Sequence, residues 1–302
     1  MTITFLKKAK DLTPQNSIKY WLHQHLSRID DGRPLSRMHA SELTRPEGLC
    51  PRMYAIADLT KTKPKDEWLN ASSFMTFQIG RDQEKNIVLW FAEMNKAVCH
   101  WKCVACGTVH KFTMRPHACK SCGTKKFDPQ EVRFESAITG VSCGVDMLVA
   151  MGGPKLRPVE LKTIDKDEFK NLKAPLAEHK WRTQLYLRTI DECTDQNASH
   201  VGTDKATILY VSKGGFGCAD PELKKWGLQE GFSPFKEFEI TRDDKATEPL
   251  AERAKVVKDF RDGKVGMPCG LCPSSMSQRA KGCIVKKHCF SGDFPPTYDW
   301  KA

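Results

Sequence analysis

The sequence predicts an α/β chain in which helices cover both sides of a central sheet. Three observations predict it. Segments with apolar residues at steps of three and four alternate with short runs of strand-forming residues. Two of those runs flank the turn signal Met151-Gly152-Gly153-Pro154. No internal repeat or low-complexity tract suggests another architecture.

The 302 residues allow one domain with an insertion, or two small ones. A formal net charge of +11 favours a polyanionic partner, with nucleic acid first. No apolar run reaches the length of a membrane span, and Met1 to Asp11 lacks the apolar stretch of a secretory signal. A cytoplasmic protein without membrane attachment is expected.

The elements follow in order. Ser17 to Ile29 carries Ile18, Trp21, Leu22, His25, Leu26 and Ile29 at helical spacing and predicts an amphipathic helix. Ser41 is placed to cap a second helix running through Cys50 and Pro51 toward Leu59, with Pro46 and Gly48 as interruptions. From Ser73 a longer helix sets Phe77, Gly80, Glu84, Ile87 and Phe91 on one stripe, which turns Glu84 toward the core. Residues 98–127 change character, rich in Cys, Lys, Gly and His, and predict an inserted module. Strands are expected at Glu131 to Ala137, Gly144 to Ala150 and Leu156 to Thr163. A helix at Pro175 to Ile190 follows, then strands at Ala206 to Ser212 and Phe235 to Ile240, and a polar helix from about Asp243 to Arg261. The expected domains are 1–97, helical; 98–127, the module; 128–265, the sheet core; and 266–302, a cysteine-rich end.

Centring the turn on Gly153 puts Asp146 seven residues before it and Glu160 seven after, opposite one another in an antiparallel hairpin. Lys162 shares the face of Glu160, while Leu161 points into the core. Two such close carboxylates repel unless a cation lies between them, and a hard ion with oxygen ligands, Mg2+ or Mn2+, answers that need. Such an ion polarises a phosphodiester and acidifies a bound water, which a neighbouring lysine can orient. Glu84, an acid on an apolar stripe, is costly to bury unless paired or metal-bound.

Thirteen cysteines, odd in number and clustered, suit metal better than disulfides. Cys103-Val-Ala-Cys106-Gly and Cys119-Lys-Ser-Cys122-Gly, twelve residues apart, form paired knuckles for a closed Zn2+ site. Cys99, His100, His110 and His117 are spare donors nearby. The basic and aromatic residues of this module offer a grip on a nucleic-acid strand or a protein partner. The C-terminal set, Cys269-x2-Cys272-x10-Cys283-x5-Cys289, taken alone suits a second zinc site. Cys143, Cys193 and Cys218 have no ligand spacing. Arg279, Lys281, Lys286, Lys287 and His288 give the C-terminal set a basic rim.

Gly-Val-Asp146 followed by Val-Glu160-Leu-Lys162 resembles the PD-(D/E)XK nuclease motif, and Gly80-x-x-x-Glu84 is similar to the upstream helical motif of RecB-like members. His179 to Leu187 (HKWRTQLYL) is similar to the family's glutamine-tyrosine helix. Gln184 matches the glutamine, but Tyr186 follows it by two residues where the family has four. Leu-Cys50-Pro-Arg52 resembles the early cysteine of CRISPR-associated and phage relatives, in which one early and three late cysteines ligate a 4Fe-4S cluster.

The resemblance implies a restriction-endonuclease-like core, a mixed central sheet flanked by helices, with an inserted zinc ribbon and an iron-sulfur staple joining the two ends of the chain. It implies that Asp146, Glu160, the Leu161 carbonyl and Glu84 hold the catalytic metal. Lys162 would serve the attacking water. Gln184 would contact DNA, with Tyr186 and His179 as further contacts. Cys50, Cys272, Cys283 and Cys289 would ligate the cluster, with Cys269 the extra or substitute. The implied activity is an exonuclease on single-stranded DNA or DNA ends, in recombination, repair or phage DNA processing. An endonuclease of the same fold and a non-enzymatic DNA-binding or adaptor protein are the alternatives.

Overall fold

The computed structural model describes residues 18–26, 28–30, 35–44, 48–62, 67–215, 217–228 and 231–294. The opening segment Met1–Asp11, read above for a targeting signal, lies outside the described residues, as do Ser17 and Pro46. No helix among the described residues is long and apolar enough to cross a membrane.

The chain forms the expected mixed sheet flanked by helices. Its strands are β1 (Ala97–Cys103), β2 (Val109–Thr113), β3 (Phe127–Gln130), β4 (Val132–Glu135), β5 (Val141–Val145), β6 (Met147–Val149), β7 (Arg157–Ile164), β8 (Lys205–Ser212) and β9 (Phe235–Thr241). The central sheet runs β9-β8-β7-β6-β1-β2, with β3 also paired to β1. β7 and β8 are parallel, and every other pairing in it is antiparallel. A second sheet places β5 between β4 and the short strand Met38–His39.

Four helices position the site: α1 (Pro51–Thr60), α2 (Ala71–Glu93), α3 (Ala177–Asp191) and α4 (Asp244–Arg261). Alternation along β6 separates the layers. Met147 and Val149 pack with Ile87, Val88 and Ala92 of α2, whereas Leu148 packs with Leu185, Tyr186 and Ile190 of α3. Asn70 caps α2 by accepting the Ser73 N–H at 2.9 Å. Gly80 lets α2 approach β7 closely, since a β-carbon there would stand 3.0 Å from Thr163 Oγ1.

Several expectations change. The helix expected from Ser41 to Leu59 is two helices, Ala40–Leu43 and α1. Cys50, before a proline, is extended (φ −102°, ψ 109°), and Pro51 opens α1, where its missing N–H costs nothing. Ser41 lies inside its helix, with His39 at the cap. The helix expected to reach Ile29 ends at Leu26, and Ile29 pairs with Trp68 in a two-stranded ribbon. Phe77 is 51% exposed although it shares the Glu84 stripe. The strand expected at Gly144 to Ala150 is broken at Asp146 into β5 and β6, which belong to different sheets. The first strand of the cysteine-rich segment, β1, pairs with β6 at Ala97 and Val98, which joins that segment to the central sheet.

Candidate active site

The turn at Gly153 sets the register. Arg157 pairs with Val149, Pro158 with Leu148 and Val159 with Met147. One step further, Glu160 comes opposite Asp146. The ladder stops there, because the chain turns at Asp146 from one sheet into the other. A carboxylate therefore replaces the missing main-chain acceptor: Asp146 Oδ2 accepts the Leu161 N–H at 2.7 Å.

Glu160 is 2% exposed. Lys162 Nζ lies 2.6 Å from its Oε1 and also donates to the Leu161 carbonyl at 2.9 Å. Arg182 of α3 stands 3.8 Å from the same Oε1. The other oxygen, Oε2, is buried with no hydrogen-bond partner. Leaving a buried carboxylate oxygen without a donor is expensive. That orphan atom is a hard oxygen ligand of the kind a divalent cation would satisfy.

Charge and burial reinforce one another here. Burial pushes the Asp146 carboxyl well above its usual range, and the Glu160 charge adds to the shift, against Lys162 and the Leu161 N–H. Burial also raises Glu84, helped by Glu160 and Glu131 and opposed by Lys162. Burial works against the Lys162 ammonium, but Glu160 and Asp146 outweigh it, so this lysine titrates above its ordinary value and stays charged.

Glu84 from α2 and Arg182 and Tyr186 from α3, helices on opposite faces of the sheet, meet at the same cleft of about 580 Å3 with Asp146, Glu160 and Lys162. The structure does not bring Gln184 there. That side chain is 4% exposed, and its amide donates to the Thr241 carbonyl at 3.4 Å. Arg182 and Tyr186, four residues apart, share the cleft face of α3, whereas Gln184 sits about 200° away from each around the helix. His179, one turn before Arg182, shares a 2.8 Å hydrogen bond with the Tyr210 hydroxyl.

Sequence reasoning missed Glu131 and Arg182, both of which line the cleft. The signal for Glu131 was Gly144. A β-carbon there would meet the end of the Glu131 side chain, so the bare backbone of Gly144 leaves room for the carboxylate in its present position.

The four thiols of Cys103, Cys106, Cys119 and Cys122 lie within 4.8 Å of one another and could bind a metal ion. Gly107 and Gly123, both at φ 74°, donate their N–H groups to the carbonyls of Cys103 and Cys119 and close the two knuckles. The neighbouring thiols titrate apart, Cys119 drawn down to about 5, first by His110, and Cys122 pushed up to about 12 beside the other thiols although the Thr124 backbone lowers it. His100 accepts the Phe112 N–H at 2.8 Å and stands apart from this set. Among the described residues no other group of three or more His, Cys, Asp or Glu ligand atoms is gathered so tightly, the acids of the cleft included.

Cys50 caps α1 and lies with Cys272 and Cys289 in electrostatic reach of Cys283, whose thiol burial pushes up to about 11. Cys269 is exposed. Arg52, 1% exposed, donates to the Pro268 carbonyl, Arg279 donates to the Gly48 carbonyl, and Val285 packs with Ile56. These contacts tie the early cysteine segment to the late one.

No protein-family model and no curated protein matches the chain. Solved structures do. It is similar to the alkaline exonuclease LHK-Exo from Laribacter hongkongensis, at 13% identity and a TM-score of 0.41 over 76% of this chain and 90% of that one. A phage-related exonuclease from Haemophilus somnus 129PT is 14% identical, with a TM-score of 0.40 over 75% and 94%. The structure of SSO0001 is 15% identical, with a TM-score of 0.35 over 90% and 93%. At such similarity these likenesses assign nothing to this chain.

Proposed function

We propose that this chain is a metal-dependent deoxyribonuclease of the RecB-like PD-(D/E)XK kind, an exonuclease acting on single strands or ends of DNA. One observation carries the reading: the buried Glu160 carboxylate keeps one oxygen unpartnered while the other is held at 2.6 Å by Lys162, beside Asp146. Asp146, Glu160, the Leu161 carbonyl and Glu84 would hold Mg2+ or Mn2+. When bound, that ion supplies Lewis-acid polarisation of a phosphodiester and a more acidic water.

The chain's own residues do the rest. Lys162, kept cationic by two acids, orients the nucleophilic water and stabilises the negative charge that develops on phosphate. Arg182 and Tyr186 take the substrate-facing place on α3 that the sequence pattern gave to Gln184. The net charge of +11 favours DNA as the substrate.

Cys103, Cys106, Cys119 and Cys122 would hold Zn2+. Cys50, Cys272, Cys283 and Cys289 would hold a 4Fe-4S cluster, with Cys269 as the spare. A cluster larger than a single ion suits thiols set wider apart than those of the ribbon.

The test is release of labelled products from single- and double-stranded oligonucleotides with Mg2+ or Mn2+, and from circular DNA. Cleavage of linear DNA that vanishes in Lys162→Ala and Asp146→Ala, with the fold retained, supports the reading. Cleavage of circles would make the enzyme an endonuclease. Indifference to both substitutions would overturn the assignment.

A further inference from the structure

Lys162 and Tyr210 are paired residues on the parallel strands β7 and β8, so their side chains stand side by side on one face of the sheet. Tyr210 is 0% exposed, and its hydroxyl already accepts the Leu176 N–H at 3.0 Å. Its own proton must reach an acceptor, and the one within range is His179 Nδ1 at 2.8 Å. The neutral imidazole therefore carries its proton on Nε2. Burial, with the charges of Lys162 and Arg182, pushes the His179 pKa down to about 3, so the ring is neutral at physiological pH.

Among the described residues His179 Nε2 has no hydrogen-bond partner, and it is not one of the buried unpartnered atoms, its side chain being half-buried. The ring lies three and seven residues before Arg182 and Tyr186, which puts it on the same side of α3 as these two cleft residues, one turn outside the residues that line the cleft. A directional N–H donor beside two cations complements an anion with several acceptor oxygens.

Resting on the nuclease reading above, we propose that His179 is a substrate-binding residue whose Tyr210-fixed Nε2–H donates to a phosphate oxygen of the DNA strand where it runs past the edge of the cleft. A neutral donor adds a hydrogen bond without displacing a counterion, which separates it from Arg182.

The experiment measures kcat/KM on a single-stranded oligonucleotide against salt, with 15N NMR of the imidazole in the full-length native protein. His179→Phe, which keeps a ring against Tyr210, and His179→Asn, whose amide falls near Nδ1, should each lose about tenfold or more in kcat/KM, the size of one hydrogen bond to a charged group. Their salt slope should stay native, whereas Arg182→Met should lower it by about 0.7 for one phosphate contact. His179→Gln, whose amide N–H stands near the Nε2 position, should recover most of the loss. The NMR should show Nε2 protonated and Nδ1 bare.

Native kcat/KM in His179→Phe, a lowered salt slope in that variant, or a proton on Nδ1 would each overturn this inference alone. Failure of the native protein to cleave would overturn the nuclease reading, and this inference with it.

Discussion

Asp146 accepts the Leu161 N–H at 2.7 Å across the point where the β6–β7 ladder ends, so a side chain completes what the main chain leaves open. This one bond fixes the Asp146 carboxylate beside the residue that separates Glu160 from Lys162. It also places Asp146 at the crease between two sheets, where a substrate can reach it.

In the Glu160–Lys162 pair the carboxylate is buried and the lysine half-buried, so removing Lys162 strands the Glu160 charge. Lys162→Met should lower the metal-free stability by about 3–5 kcal/mol, and the double variant with Glu160→Gln should regain most of it. Urea unfolding of the two variants and the native protein checks this. Equal losses in the single and double variants would contradict the pairing.

Stability against pH follows from the raised carboxyls. Asp146 holds its proton in the folded state well above its ordinary 3.8, so between that value and its folded pKa the folded state binds more protons than the unfolded. The contribution is fully present below 3.8 and is lost as pH rises through the folded pKa. Metal-free protein should therefore lose stability with rising pH over this window, less steeply in Asp146→Asn. Added Mg2+ should restore more at higher pH, because it binds the ionised form. Melting curves at several pH values, with and without Mg2+, measure both effects.

Gly80 sets how closely α2 approaches β7. Gly80→Ala gains helix propensity of about 0.5–1 kcal/mol but presses on Thr163 Oγ1, which must shift by a few tenths of an ångström. Glu84 rides on the same helix one turn later, so activity should fall more than stability. Adding Thr163→Ala should restore it. Rates and melting temperatures of the single and double variants decide the point.

The ribbon is wired to the cleft at two places. Cys99 of β1 donates to the Asp146 carbonyl at 3.7 Å, and Lys85, next to Glu84, pairs with Asp128 of β3 at 2.5 Å. Cys119→Ser should remove one zinc, as read by metal analysis, and lower nuclease activity although no ribbon cysteine lines the cleft. Full activity in a zinc-free variant would show the ribbon to be independent of the chemistry.

Anaerobically purified protein should carry iron and sulfide together with about one zinc, and Cys283→Ala should lose the iron while keeping the zinc. A colourless native protein with two zincs and no iron would contradict the cluster assignment.

The hairpin was legible because a tight turn fixes strand register by counting, and Gly153 gave the partners of Arg157, Pro158 and Val159 as they stand. The break at Asp146 was not legible. Residues 141–149 are buried on both sides of it except at Gly144 and Asp146, so the pattern reads as one strand whichever sheet each half joins. Arg182 was overlooked because the glutamine motif drew attention to Gln184, and a two-residue offset on a helix turns a side chain to the far face. Glu131 follows a proline-containing stretch at a strand start, and only its contact with the bare Gly144 marks it.

A divalent ion held jointly by Asp146 and Glu160 beside Lys162 is the centre of the proposed chemistry. Titration of Mn2+ into the protein, followed by loss of the free-ion paramagnetic resonance signal, tests this most directly. The account predicts bound Mn2+ in the native protein and in Gln184→Ala, and its loss in Asp146→Asn and Glu160→Gln. Equal Mn2+ binding by the native protein and both acid variants would contradict it.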